Sequence, residues 1–292
     1  ITLLQDSAVE IYSILNKEMY RIEIPNSYGE KKGFVESVVL PKSGEIWISQ
    51  MTTNRIHRIS LSNFSYIDSF STKGVWGKVI VADKYENYAY IGNWKSKDVS
   101  VIDIAKKEVV YKFQVSGVPR GIALSKNQKE MYVCLYDTGN IDCIDLDTYT
   151  RTATYTIGPG AKRHIVRSAD SDVFYFSDMY KGTVGIFDAV KGKVTNEVYV
   201  NSNPNTISLS PDGKYLYVST RGRNNSLSYY LKGPDFGKIF RLRADTLKID
   251  DWCWGGNQPT GLALSPKGTF FAFSNFLDDT IELYNLNRFS RN

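Results

Sequence analysis

His164 stands beside Arg163 in the segment GAKRHIVRS (Gly160 to Ser168), pairing an imidazole that titrates near neutrality with a guanidinium that stays charged. With Glu36 as a carboxylate partner, the three could move a proton while a fixed cation holds developing negative charge, which is hydrolytic chemistry. Metal chemistry is narrower. The chain has 2 histidines, His57 and His164, so a three-histidine site is excluded, and no metal ligand is assigned. His57 lies in a strand-like run and reads as an ordinary sheet residue. No nucleophile elbow, Walker loop, zinc-protease motif or dinucleotide glycine fingerprint is present.

What must position these residues is a repeat. The segments GVWGKVIVA (Gly74 to Ala82), GVPRGIALS (Gly117 to Ser125), GAKRHIVRS, SNPNTISLS (Ser202 to Ser210) and NQPTGLALS (Asn257 to Ser265) align. Equivalent positions fall at Glu36, Gly77, Arg120, Arg163, Asn205 and Thr260, 41 to 43 residues apart until a last step of 55. A period in the forties with four short apolar runs per unit predicts a β-propeller blade. In the third unit the strands are Gly121 to Leu124, Met131 to Leu135, Ile141 to Leu146 and Thr152 to Ile157. Turns such as Ser210-Pro211-Asp212-Gly213 and Ser265-Pro266-Lys267-Gly268 carry the proline and glycine that tight turns require.

The units divide as 1–32, 33–73, 74–116, 117–159, 160–201, 202–256 and 257–292, giving one all-β domain over 1–292. The expectation is seven four-stranded antiparallel blades, with N- and C-terminal strands sharing closure; six blades is the alternative. The N-terminal unit lacks a first strand, reading as ITLL, VEIYSIL and EMYRIEI, and the last unit ends in a stub after Leu286.

In a propeller, the links entering each first strand and the loops leaving each second strand share one face, around the channel mouth. That face is expected to collect Lys78, Arg120, Arg163 with His164, Asn205 and Arg221 among Trp94, Tyr136, Tyr180 and Phe276, with Met51 and Met179 beside them. The step of 55 comes from extra residues in Gly222 to Gly237 (GRNNSLSYYLKGPDFG). Its Tyr229, Tyr230 and Phe236 make it a lid or partner-contact ridge, or a loop packed on the neighbouring blade. Aligned guanidiniums favour carboxylate, phosphate or acidic peptide; the plainer reading is a solvated polar rim.

Composition limits the partners. The net charge of +5 from 36 basic and 31 acidic residues is spread along the chain, so no nucleic-acid face is expected, and no apolar run is long enough to span a bilayer. The 20 Tyr and 14 Phe suit sheets. Ile1 is not a translation start, which implies a removed leader or a trimmed chain. Of the 3 cysteines, Cys134 and Cys143 would face each other across a tight turn, leaving a disulfide open; small buried hydrophobes are the plainer reading, and Cys253 is a packing residue.

The segments Tyr90-Ile91-Gly92-Asn93 with Val99-Ser100-Val101-Ile102-Asp103, Tyr132-Val133-Cys134 with Ile141-Asp142-Cys143-Ile144-Asp145, and Tyr217-Val218-Ser219-Thr220 resemble the YVTN-repeat β-propellers. WD40 blades share the period, but their Gly-His and Trp-Asp dipeptides are missing. The resemblance implies a propeller with exported or cell-surface roles, periplasmic or secreted included. The leading expectation is therefore a non-enzymatic module without cofactor, presenting a basic, aromatic mouth to a protein, a glycan or a small anionic ligand. A lactonase-like hydrolase using His164, Arg163 and Glu36 is the alternative, since some lactone-cleaving propellers work through mouth residues. A quinone- or haem-binding redox propeller with His164 as ligand is the second. Oligomeric state is not legible.

Overall fold

Short runs of β-branched and aromatic residues, alternately buried and exposed and punctuated by polar turns, can satisfy their backbone only by pairing with neighbouring strands. The computed structural model describes residues 1–25, 32–286 and 289. A two-stranded antiparallel sheet comes first, β1 (Ala8–Ser13) and β2 (Glu18–Glu23). The first blade is β3 (Phe34–Leu40), β4 (Glu45–Gln50), β5 (Arg55–Ser60) and β6 (Tyr66–Ser71). The second is β7 (Gly77–Ala82), β8 (Tyr88–Asn93), β9 (Asp98–Asp103) and β10 (Glu108–Gln114). The third is β11 (Pro119–Leu124), β12 (Glu130–Leu135), β13 (Ile141–Asp145) and β14 (Thr150–Tyr155). The fourth is β15 (Lys162–Arg167), β16 (Val173–Asp178), β17 (Thr183–Asp188) and β18 (Lys193–Tyr199). The fifth is β19 (Pro204–Leu209), β20 (Tyr215–Thr220), β21 (Lys238–Arg243) and β22 (Ile249–Trp254). The sixth is three-stranded, β23 (Pro259–Leu264), β24 (Phe270–Asn275) and β25 (Thr280–Asn285).

The fold is thus an all-β propeller of six blades, and the expected seventh is corrected. ITLL does not form a strand: only Thr2 bridges, to Val9, because Asp6 and Ser7 turn the chain, with Asp6 Oδ1 accepting from Ser7 N–H at 2.6 Å. The β1–β2 hairpin, without inner strands, is a flap whose Val9, Ile22 and Ile24 pack on Phe34, Ile48 and Ile59 of the first blade. The shared closure is corrected with it, since β1 and β2 form a sheet of their own and β23 to β25 another. Of the stub after Leu286, only Phe289 falls within the described residues; it packs with Tyr217 and Phe271.

Contacts group the chain into two compact units, residues 1–122 with 146–151 and residues 123–145 with 152–292. In the first, Leu40, Trp47, Ile56, Ile80, Ala89 and Ile91 join the first two blades in one apolar layer. In the second, Tyr175, Val184, Ile207, Leu216 and Val218 join the fourth and fifth. Each such side chain removed from water stabilises by about 1.5–3 kcal/mol. The turns use the expected chemistry: Ser210 Oγ accepts from Tyr215 N–H at 2.9 Å, and Gly213, at φ +70°, donates to Ser210 O at 2.8 Å.

The cysteines do not form the disulfide left open by the sequence. The β12–β13 register pairs Cys134 with Ile141 and Cys143 with Tyr132, and all three thiols are free and buried.

Candidate functional site

The first strand of a blade slips register by one residue at one recurring place. The slip falls between Phe34 and Ser37, Gly77 and Val79, Lys162 and His164, Pro204 and Ile207, and Pro259 and Leu262. Each is a β-bulge, a device that re-aims side chains and clusters near active sites. The bulged positions carry Val35 and Glu36, Lys78, Arg163, Asn205 and Thr206, and Thr260 and Gly261, with the paired His164 directly after Arg163. The ladder also corrects the sequence alignment in its first two units: Val35 and Lys78, not Glu36 and Gly77, share the position of Arg163 and Asn205.

A bulge frees backbone groups, and a serine in the second strand takes them up. Ser219 Oγ accepts from Thr206 N–H at 3.1 Å and donates to Thr260 O at 2.9 Å. Ser177 Oγ donates to Asn205 O at 2.6 Å, and Ser274 Oγ accepts from Gly261 N–H at 2.9 Å. In the second unit Ser177 and Ser219 each donate to the bulge of the next blade, whereas Ser274 serves its own. Ser177 is the ladder partner of His164, so Asn205 sits against the residue opposite the imidazole. Arg163 is only 8% exposed and His164 is half-buried, whereas Asn205 is fully buried, its Nδ2 without a hydrogen-bond partner among the described residues.

Beneath this point lies a pair that the sequence analysis missed. Lys162 Nζ donates to Asp178 Oδ2 at 2.6 Å, both side chains 0% exposed. Asp178 Oδ1 accepts from the N–H groups of Ala161 (2.9 Å), Tyr180 (3.0 Å) and Lys181 (3.1 Å). Burial alone would raise its pKa; the Lys162 ammonium and the backbone N–H donors overcome that and hold it below the usual carboxylate value. One carboxylate therefore fixes both the link into Arg163 and the turn bearing Met179 and Tyr180. The signal was in the period: the second strand ends on a polar residue in every blade but the third, at Gln50, Asn93, Asp178, Thr220 and Asn275 against Leu135, and Asn275 Oδ1 likewise accepts from Gly256 N–H of its link at 2.9 Å.

Other expected site residues divide between the units. In the first, Arg120 Nη1 lies 3.1 Å from Glu36 Oε1, which engages that carboxylate, and Lys78 Nζ sits 4.0 Å from the Trp94 ring centroid. In the second, Arg221 stacks on Phe276 at 6.0 Å, Tyr230 meets Phe276 at 6.1 Å and Tyr229 at 4.0 Å, and the Tyr136 hydroxyl reaches Met179 Sδ at 4.0 Å. Tyr180 is 78% exposed and lines an open cleft with Met179, Asn203 and Arg223. The 222–237 loop is closed on itself by Arg223 and Asp235 (2.6 Å) and tied to the sixth blade by Lys232–Asp278 (2.7 Å) and by Gln258 Nε2 to Tyr229 O (2.8 Å). Burial, with the neighbouring Tyr230 hydroxyl, raises the Tyr229 phenol to about 12. Among the described residues, no group of three or more His, Cys, Asp or Glu is placed to hold a metal, and no helix is long and apolar enough to cross a membrane.

The residues around His164 all lie within 144–292, and that stretch matches the family described as "Lactonase, 7-bladed beta-propeller". The chain belongs to this family. The lactonase-family propeller here has six blades among its described residues, one fewer than the family's description. It is 38% identical over 291 residues to "Antigen Lp49" of Leptospira interrogans, covering 97% of this chain; it spans 64% of that relative's length. Its fold is also that of "Kuenenia stuttgartiensis Hydrazine Synthase", with a TM-score of 0.73, 20% identity, and coverage of 88% of this chain and 77% of the other.

Proposed function

We propose that this lactonase-family propeller hydrolyses a cyclic or activated ester at the bulges of its fourth and fifth blades. One observation carries the reading: Asn205, whose side-chain Nδ2 is fully buried with no partner among the described residues, has its backbone carbonyl held by Ser177, the residue paired with His164 beside Arg163. A buried unsatisfied donor is costly unless it serves a ligand. In this reading Asn205 Nδ2 donates to the ester carbonyl oxygen and stabilises the charge that develops there. His164 takes a proton from water as its oxygen bonds to the carbonyl carbon, then returns it to the leaving alkoxide as the ring C–O bond breaks. Arg163 meets the carboxylate of the hydroxy acid formed. Glu36, held by Arg120, is not needed.

The test is a lactone panel followed by proton release. Wild type is expected to exceed background, His164→Ala to lose about 10²–10⁴-fold, and Asn205→Ala about 10²–10³-fold in kcat. No turnover of any lactone or aryl ester would sink the reading.

A second reading, a propeller that presents a surface to a protein or glycan, is favoured by the pinned 222–237 loop, whose Leu227, Tyr229, Tyr230, Leu231 and Phe236 remain exposed. Aromatic side chains on a fixed loop are what interface anchors are made of. Likeness to a protein named an antigen supports an exported location, and the strand motifs support placement among the YVTN-repeat propellers. Deleting Asn224 to Asp235 separates the readings: it abolishes partner binding but spares hydrolysis.

A further inference from the structure

In the link to the sixth blade, one amide is buried with an acceptor to spare. Gln258 is 1% exposed, and its Nε2 donates to Tyr229 O at 2.8 Å and to Asn224 Oδ1 at 3.4 Å. Both neighbours are acceptors, which fixes the orientation of the amide: turned over, it would set oxygen against oxygen. Its Oε1 has no hydrogen-bond partner among the described residues. An amide oxygen left buried in that state is costly unless a ligand donates to it.

The backbone does not ask for glutamine here. Gln258 adopts φ +56°, and the register aligns it with Gly33 (φ +100°) and Asn203 (φ +55°), residue types that tolerate the left-handed region better. Hydrogen bonds connect the position to the bulge of the fifth blade. Thr260 Oγ1 donates to Gln258 O at 2.9 Å, Thr260 O accepts from Ser219 Oγ at 2.9 Å, and that Oγ accepts at 3.1 Å from the N–H of Thr206, next to Asn205. Two buried amides with an unused atom therefore stand on successive blades, a donor at Asn205 and an acceptor at Gln258. Aromatic rings adjoin the second: Phe276 N–H donates to Gln258 O at 3.1 Å, and Tyr230 lies 6.1 Å from the Phe276 ring and 4.0 Å from that of Tyr229.

We infer that Gln258 is the specificity-determining residue of the proposed ester-hydrolysing site, selecting a cyclic ester that bears an N-acylamino group. The amide N–H donates to Gln258 Oε1, and the acyl chain lies against Phe276 and the two tyrosines. The inference rests on the hydrolytic reading, which puts the ester carbonyl at Asn205. A hydroxyl would also donate, but it brings lone pairs into a place whose neighbours are the oxygens of Tyr229 and Asn224; an N–H brings none. A polyol would also set its remaining hydroxyls against aromatic rings. Gln258 is tied to the 222–237 loop, so the ligand enters as that loop lifts. The loop is held through Nε2 and the ligand through Oε1, so one amide serves both. The contact sets which ester is preferred and leaves the chemistry at His164 intact.

The experiment is a calorimetric titration of the intact chain with hexanoylaminocyclopentanone, which carries the ring carbonyl and the amide but no ester bond to break. Its N-methylated form and gluconolactam are the comparisons. The amide ligand is expected to bind saturably, at least about tenfold more tightly than either. Gln258→Lys keeps a donor for Tyr229 O and Asn224 Oδ1 and removes the acceptor, and lysine already occupies positive φ at Lys17, Lys97 and Lys107. In this variant the amide ligand should weaken at least about tenfold while the N-methylated form is unchanged; a merely loosened loop would weaken both alike. The inference is overturned if the amide ligand does not bind, if the N-methylated form or gluconolactam binds as well, or if the folded variant binds all ligands as wild type does or weakens both forms equally. Should Gln258→Lys fail to fold, the N-methylated comparison decides. Turnover of γ-nonalactone, which has no N–H, reports the hydrolytic reading separately, so each can fail alone.

Discussion

Lys162 and Asp178 form a 2.6 Å ion pair with no solvent exposure on either side chain, directly before and beneath the Arg163–His164 bulge. A pair so buried is held by geometry: Asp178 gathers three backbone N–H groups as well as the ammonium, and Lys162 also lies 4.8 Å from the Phe176 ring. It locks two chain segments that would otherwise be free to move apart.

Removing one partner leaves the other charge uncompensated. Asp178→Ala is expected to destabilise by about 3–5 kcal/mol, measured by urea unfolding. Because its pKa is held below the usual 3.8 in the folded state, the stabilisation is present above that pH and is lost as pH falls through the lower native value. An unchanged midpoint in Asp178→Ala would contradict the pair's role.

His57 adds a separate acid dependence. Burial, then the Arg55 charge, lowers its pKa from 6.5 to about 4. Its Nε2 must carry the proton, since it faces Gln50 Oε1 at 2.9 Å, and Nδ1 faces the Tyr66 hydroxyl at 3.4 Å. Between these pH values the unfolded chain binds the proton and the folded one does not. Stability should therefore fall from pH 6.5 downward and level off below about 4, by about 3 kcal/mol in total. In His57→Gln that slope should vanish between pH 6.5 and 5, where carboxylates scarcely titrate.

The serines at the bulges are expected to matter more than surface serines. Ser219→Ala strands Thr206 N–H and withdraws a donor from Thr260 O, joining two blades less firmly. A loss of about 1–3 kcal/mol is expected by thermal unfolding, against no measurable change for exposed Ser226→Ala. Equal melting of the two variants would count against the bulge bracing.

Thiol reactivity follows from burial. Burial raises Cys134 and Cys253 to about 12, and raises Cys143 as well, so folded protein at pH 8 should react negligibly with a disulfide reagent. All three should react once it is unfolded. Fewer than three would indicate the cross-strand disulfide that the register denies.

The architecture was legible in the chain because a blade is local: its strands, its Ser-Pro-Asp-Gly turn and its period all lie within about forty residues. The period likewise pointed to Arg163, His164 and Asn205, which the bulges of the fourth and fifth blades carry. Strand pairing was less legible, since a register can slip by two residues, or take up a bulge, without changing which side chains face the core. That is why Cys134 meets Ile141 rather than Cys143, and why Lys78 rather than Gly77 shares the position of Arg163.

Sequence alone determined the repeat, the all-β class and the residue types available for chemistry, because hydrophobic alternation and turn residues act on their nearest neighbours. Only the tertiary structure decided that the N-terminal segment is a two-stranded flap, that Glu36 is engaged by Arg120, and that Asp178 and Lys162 brace the bulge. Those outcomes depend on which strands face one another and how deeply a charge is buried. Neither quantity is carried by spacing along the chain.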